Sequence, residues 1–242
     1  MGHVTNATGG ATHHISCPGV PSLTLVIFDC DGVLVDSEPI STHVLADALT
    51  AAGLPTSPAQ AYERYRGKAL SDIAADARDR SGSPLPDDFW QRFEHDRARA
   101  FERSLRPVDG AAEAVGAVKA AGVAVCVASQ GRRSKTEQTL GLTGLRHLFA
   151  DGTLFSAYDV SRGKPFPDLF LHAATVMNSP PGRTVVVEDT TIGVRAAIAA
   201  GMRAIALTDN DDAAAMRELG ATPISALSEL APLLFDGAEA PH

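Results

Sequence analysis

Four short apolar runs punctuate the chain: Leu25 to Phe28, Val123 to Ala128, Thr184 to Val187 and Ala204 to Leu207. Each is rich in β-branched residues or continuously apolar, the pattern of strands covered on both faces in a parallel sheet. Helical periodicity separates the later runs. Phe166, Leu169, Phe170, Ala173, Ala174 and Met177 share one helical face. This predicts an amphipathic helix packed on the sheet, with Pro165 and Pro167 in its first turn. The order of elements reads as a doubly wound α/β core.

The stretch between the first strand and Pro107 has a different rhythm. Ile40, Val44, Leu45, Ala48, Leu49 and Ala52 mark a helix ended by Gly53, and further helical patterns run through Ile73 to Ala77 and Phe89 to Phe101. About 70 residues without a buried strand are too many for a plain crossover between neighbouring parallel strands. They predict a helical cap over 37–106, inserted into a core made of 23–36 and 107–242. Asp36-Ser37-Glu38-Pro39 and Arg106-Pro107-Val108-Asp109-Gly110 would be its hinges.

Composition narrows the function classes. The 242 residues are 45% hydrophobic and 21% charged, ordinary for a soluble globular protein. A formal charge of −8 and a pI near 5.4 argue against broad contact with nucleic acid. Cys17, Cys30 and Cys126 are too few and scattered for a disulfide framework, so a cytoplasmic location is expected. Residues 1–22, rich in Gly, Thr, His and Pro, read as a flexible tail in which His3, His13 and His14 are solvated rather than metal-binding. No apolar stretch approaches the ~18 residues of a bilayer span, so no membrane partner is expected.

The candidate chemistry lies at the strand ends. Asp29-Cys30-Asp31-Gly32 follows the first apolar run directly, so two carboxylates and a Gly-permitted turn meet at the sheet's carboxyl edge. Anionic groups gathered there call for a cation. The second run ends in Ser129-Gln130-Gly131, Lys164 precedes the Pro-rich helix start, and the third run leads into Glu188-Asp189. In a parallel sheet these ends share one edge, which would bring residues far apart in sequence into one crevice. Taken singly, each has a simpler reading: a turn or helix cap for the aspartates, a solvated helix start for Glu188-Asp189, a loop hydroxyl for Ser129, a surface charge for Lys164. Their joint occurrence favours a site suited to phosphoryl transfer. Asp36, Ser37, Asp159, Asp168 and Thr190 are expected to be caps or hinge residues, and Cys30 a buried filler pointing away from the carboxylates. Gly193, Ala196, Ala197, Ala200 and Gly201 would let their helix lie close on the sheet.

Together these stretches resemble the four motifs of the haloacid dehalogenase superfamily, in its phosphatase and phosphomutase branch with a helical cap after the first strand. The matching segments are Phe28 to Glu38, Ala128 to Gly131, Gly163 to Asp168, and Glu188 to Gly193 with Ala196-Ala197 and Ala200-Gly201-Met202 beyond. The resemblance implies a Mg²⁺-dependent phosphotransferase in which Asp29 is the nucleophile and forms an aspartyl-phosphate. It further implies Asp29, the Asp31 carbonyl and Asp189 as Mg²⁺ ligands, with Glu188 reaching the ion through water. Lys164 would offset negative charge, Ser129 with Gln130 and Gly131 would bind the phosphate, and Asp31 would serve as general acid and then base. That last role requires the site to raise an ordinary carboxyl pKa. The resemblance also suggests a cis bond between Lys164 and Pro165.

The reaction class depends on the cap. In related β-phosphoglucomutases a histidine and an arginine of the cap hold the sugar bisphosphate; counting from Asp29, those positions fall at Ser41, with His43 two residues on, and near Leu70. Both departures favour a phosphatase for a small phosphorylated metabolite, with sugar, sugar-acid and polyol phosphates as the expected classes. Arg66 and Lys68 occupy the cap loop that faces the site in this family and are candidate substrate contacts. Ser156-Ala157-Tyr158-Asp159 leans towards the branch containing 6-phosphogluconate phosphatases. A metal-independent dehalogenase and a phospho-accepting regulatory module are the rivals; Asp31, Glu188 and Asp189 speak against the first, the helical insertion and length against the second. A monomer or weak homodimer is expected.

Overall fold

The computed structural model describes residues 23–66, 68, 70–208 and 212–235. The tail, with its three histidines and Cys17, lies outside the described residues. Six parallel strands form one sheet in the order β3-β2-β1-β4-β5-β6. They are β1 (Leu25–Phe28), β2 (Ala124–Ser129), β3 (Leu154–Ser156), β4 (Thr184–Glu188), β5 (Arg203–Leu207) and β6 (Thr222–Ile224). The four apolar runs become β1, β2, β4 and β5. β1 is flanked by β2 and β4, with Phe28 opposite both Val127 and Val187.

The chain moves outward from β1 through β2 to β3 and returns to the other side of β1 as β4. That reversal opens a crevice at the carboxyl end of β1, where open α/β sheets bind ligands. Every β1 side chain is fully buried, and the two sheet faces carry separate apolar layers. Val26, Phe28, Val115, Val118 and Leu140 belong to one; Leu25, Ile27, Leu169, Phe170 and Ala173 belong to the other.

Between β1 and α5 (Ala111–Ala120) lie α1 (Glu38–Ala51), α2 (Pro58–Tyr65), α3 (Leu70–Ser81) and α4 (Phe89–Ser104). These four helices enclose their own core of Leu45, Leu49, Ile73, Phe89 and Phe93 among others. The insertion leaves and re-enters the sheet side by side: Asp36 N–H donates to Arg106 O at 3.0 Å, Val108 N–H to Leu34 O at 3.0 Å, and Val35 bridges Pro107 antiparallel.

The remaining helices are α6 (Arg133–Leu142), α7 (Asp168–Val176), α8 (Thr191–Ala199), α9 (Ala213–Glu218) and α10 (Leu230–Phe235). α7 corrects one expectation. It begins at Asp168 behind Pro167, not at Pro165, and Phe166 is 46% exposed beneath the Arg162 guanidinium instead of packing on the sheet. The Lys164–Pro165 bond is cis. Among the described residues no helix is long and apolar enough to cross a membrane.

Candidate active site

β1 delivers Asp29 to the crevice, and a backbone bond from its N–H to Val187 O at 2.9 Å ties it to β4. Asp29 is 6% exposed. Lys164, 7% exposed, donates to Asp29 Oδ1 and, at 2.6 Å, to Glu188 Oε1. The ammonium also stands 5.0 Å from the centre of the Phe170 ring. Burial pushes the lysine towards neutrality, but the two carboxylates outweigh it and raise its pKa, so it stays charged. Burial likewise raises Asp29, and Glu188 and Asp31 add to that against the pull of Lys164.

Two glycines let the acids approach. Gly32 has φ +79°, and a Cβ there would stand 2.2 Å from Asp189 Oδ2, so a bare Cα is what admits the Asp189 carboxylate beside the first turn. Gly193 does the same for Glu188: a Cβ would lie 1.9 Å from its carboxyl carbon. That glycine makes room for a carboxylate, where sequence suggested helix-to-sheet packing. Glu188 Oε2 accepts from the N–H groups of Asp189 at 3.0 Å and Thr190 at 2.9 Å and from the Thr190 hydroxyl at 2.8 Å. Thr190 in turn caps α8 by accepting from Gly193 N–H at 3.2 Å.

Asp189 Oδ1 is buried without a hydrogen-bond partner, and burial followed by Glu188, Asp29 and Glu38 raises its carboxyl well above the ordinary range. Among the described residues no three His, Cys, Asp or Glu side chains already form a metal cage. The oxygen donors nevertheless fit a hard divalent cation that retains water: an orphaned buried oxygen of Asp189 stands among three acids, Asp29, Glu188 and Asp189, against the Lys164 ammonium and the more distant Arg66 guanidinium.

Asp31 was expected to need a raised pKa, and the structure shows the reverse. Burial pushes it up, but the charge and hydrogen bond of Lys135, a hydrogen bond from Ser37 and the charge of Arg97 together hold it below its ordinary value. Ser37, expected to be a cap or hinge residue, precedes α1 without a side-chain cap bond and donates to Asp31 Oδ1. Cys30 is fully buried, as expected, with its thiol 3.6 Å from the Thr139 hydroxyl.

The β2 loop is arranged differently from its expectation. Gly131 N–H donates to Ser129 Oγ at 3.1 Å, and Ser129 is fully buried below the cavity wall. Gln130 Oε1 accepts from Lys164 N–H at 3.0 Å, over a Gly163 that leaves no room for a Cβ, so this amide braces the lysine's loop.

A cavity of about 860 Å³ opens above these groups between sheet and insertion. Asp29, Asp31, Lys164, Glu188 and Asp189 line its floor, with Gln130 and Gly131 beside them; Arg66, Lys68 and Arg97 line it from the insertion. Arg66 bridges the two halves, 3.3 Å from Glu38, 3.9 Å from Asp189 and 3.6 Å from Asp212. The sequence reading missed Lys135, whose ammonium pairs with Asp31, and Arg97. A local signal existed: α6 opens with Arg133 and Lys135 and no acid, against the polarity of its own N-terminus.

A haloacid dehalogenase-like hydrolase family model matches residues 23–201. The chain belongs to the haloacid dehalogenase-like hydrolases. It is 33% identical over 178 residues to the 6-phosphogluconate phosphatase of Escherichia coli strain K12, covering 73% of this chain and 79% of that protein. A conserved haloacid dehalogenase-like protein of unknown function from Agrobacterium tumefaciens superposes with a TM-score of 0.77 at 34% identity, over 90% of this chain and all of that one. A Deinococcus radiodurans hydrolase of the family, with bound phosphate and sodium, gives 0.74 at 31% identity, over 91% of this chain and 99% of that one. The six-stranded fold with its helical insertion is thus the fold of this hydrolase family.

Proposed function

We propose that the protein is a Mg²⁺-dependent phosphatase acting on a small phosphorylated metabolite of the sugar, sugar-acid or polyol class through an aspartyl-phosphate on Asp29. The observation that carries this reading is the buried Asp29 carboxylate, gripped by Lys164 beside the orphaned Asp189 oxygen, at the floor of the large cavity. The phosphatase and phosphate-bound relatives support the same chemistry.

Lys164 holds Asp29 Oδ1 and leaves Oδ2 to attack phosphorus. Its charge offsets the transferring oxygens, while Gly131 lines the phosphate's side of the cavity, Ser129 braces that loop from beneath and Gln130 steadies the lysine. Asp31 takes a proton from water in the second displacement, a base role its lowered pKa suits; to hand one to the leaving oxygen in the first it must carry a proton once substrate is bound, against the pull of Lys135 and Ser37. Asp29, Asp189 and the Asp31 carbonyl would hold Mg²⁺, with Glu188 at its margin, and the ion would supply the positive charge that lets a carboxylate approach an anionic phosphate.

Residues 37–106 act as a cap on a core of 23–36 and 107–242, and Arg66 and Lys68 meet the polar or anionic end of the substrate. Closing the cap excludes water. Ser41 and Leu70 line the cavity where a mutase would place its histidine and arginine, while His43 is exposed and its ring bonds the Pro39 carbonyl at 2.8 Å. This favours release of phosphate over its return to the sugar.

Initial rates across several dozen phosphorylated metabolites, with Mg²⁺ and with EDTA, test the proposal. The expected result is Mg²⁺-dependent phosphate release that Asp29→Asn abolishes. Equal activity in EDTA, or full activity in Asp29→Asn, overturns it; bisphosphate-stimulated isomerisation would indicate a mutase, and a long-lived phospho-Asp29 without turnover a regulatory module.

A further inference from the structure

Lys135 lies outside all four sequence clusters, yet it reaches the heart of the site from α6. We propose that Lys135 is a positioning residue for proton transfer, holding Asp31 by Oδ1 so that Oδ2 meets the leaving oxygen and then the attacking water. The inference rests on the phosphatase reading above.

Lys135 Nζ and Ser37 Oγ both donate to Asp31 Oδ1, and neither of these donors occupies Oδ2. One comes from the helix after β2 and the other from the linker into the insertion, so the carboxylate is pinned from two sides on a single oxygen. A group that must exchange protons at a fixed point gains from such support, because small misplacements of reacting groups cost large factors in rate.

The lysine is itself held. Its side chain is 15% exposed, its ammonium stands 5.9 Å from the centre of the Phe101 ring, and its Cδ lies 3.2 Å from where Gly131 would carry a Cβ. Gly131 thereby clears a channel for the lysine stem. A lysine in the first turn of a helix opposes the local dipole, and a local conflict of this kind points to a demand made elsewhere in the molecule.

In the first displacement Asp29 Oδ2 bonds phosphorus, the bond from phosphorus to the alcohol oxygen breaks, and that oxygen keeps the electron pair and takes a proton from Asp31 Oδ2. In the second, a water oxygen bonds phosphorus and gives its proton to Asp31 Oδ2. The bond from phosphorus to Asp29 then breaks, which restores the carboxylate and frees inorganic phosphate. Lys135 makes and breaks no covalent bond in either step.

The test is a double-mutant cycle of Lys135→Met and Asp31→Asn on p-nitrophenyl phosphate with Mg²⁺. Its leaving group needs little protonation, so the Asp31→Asn background stays measurable. Lys135→Gln is the second variant should the methionine form fail to fold. We expect Lys135→Met to lower kcat about 10- to 100-fold with KM changed less than about twofold, and to lower it less than about threefold when Asp31 is already Asn. On an alkyl phosphate the loss should be larger still. Equal loss in both backgrounds, or a raised KM at unchanged kcat, would mean that Lys135 binds the substrate itself and would overturn the inference. A wild type without Mg²⁺-dependent turnover overturns the phosphatase reading and this inference with it; an active wild type with an additive cycle overturns the inference alone.

Discussion

Replacing Gly193 by alanine adds one methyl group to the first turn of α8, a change that on an open helix face stabilises by about 0.4–1 kcal/mol. Here the methyl carbon would stand 1.9 Å from both Cδ and Oε1 of Glu188 and 2.3 Å from Oε2. Ordinary contact needs about 3.5 Å, so the carboxylate must retreat by about 1.5 Å or the helix must lift from the sheet. A retreat of that size breaks its bonds to Asp189 N–H, Thr190 N–H and the Thr190 hydroxyl, now 2.8 to 3.0 Å, and its ion pair with Lys164 at 2.6 Å. Overpacking alone costs about 1–3 kcal/mol, and a buried charge stripped of partners adds to it, so we expect a net loss of about 3–5 kcal/mol. The natural control is Gly116 of α5, where a Cβ would meet nothing within 4 Å. Urea denaturation of the two variants should move in opposite directions, with Gly116→Ala slightly above wild type and Gly193→Ala well below it. With one anchor of Lys164 displaced, kcat/KM for Mg²⁺-dependent phosphate release should fall about 10- to 100-fold in Gly193→Ala. A Gly193→Ala protein as stable and as active as Gly116→Ala would refute this account of how Glu188 is seated.

Two further outcomes follow from the same geometry. Lys164→Met leaves Asp29 and Glu188 without their shared cation; we expect a stability loss of about 3–5 kcal/mol by urea titration and a kcat reduced about 10²- to 10³-fold. In the insertion, hydrogen bonds from Arg64 and the Tyr65 hydroxyl hold Asp76 down to about 2, against burial that would raise it. A depressed acid contributes stability above its unfolded pKa near 3.8 and loses it as pH falls towards 2. Asp76→Asn should therefore cost about 1 kcal/mol at pH 7, discounted for partial exposure, and less than half of that at pH 2.5, read from denaturation midpoints at each pH.

How much was legible beforehand follows burial. β1, β2, β4 and β5 announced themselves because strands covered on both faces must be apolar throughout. β3 and β6 span three residues each, too short to show a period, and β6 carries Pro223, a residue tolerated in a sheet mainly at its edge. α2 escaped because PAQAYERY offers only Ala61 and Tyr65 to the core. Asp29, Asp31 and Glu188-Asp189 could be read as one site because each pair follows a legible strand and all strands end on one edge, whereas Lys164 joined them through its motif before the Pro-rich helix start. Lys135 could not be placed that way: its relation to Asp31 depends on the path of α6 and the length of a side chain. The bond from Ser37 to Asp31 is hidden for a related reason, since a hydroxyl before a helix has a common local use as a cap and only the folded turn reveals the acceptor beside it.

The pairing of residues 34 to 36 with 106 to 108 has an implication beyond catalysis. Both crossings of the chain pass through a gap one ladder spacing wide, about 5 Å, so the sheet experiences whatever is mounted there as little more than a tight turn. A different bundle could be grafted at this junction without straining the strands beneath. Natural selection could then revise which molecules are recognised while the apparatus that transforms them is left alone.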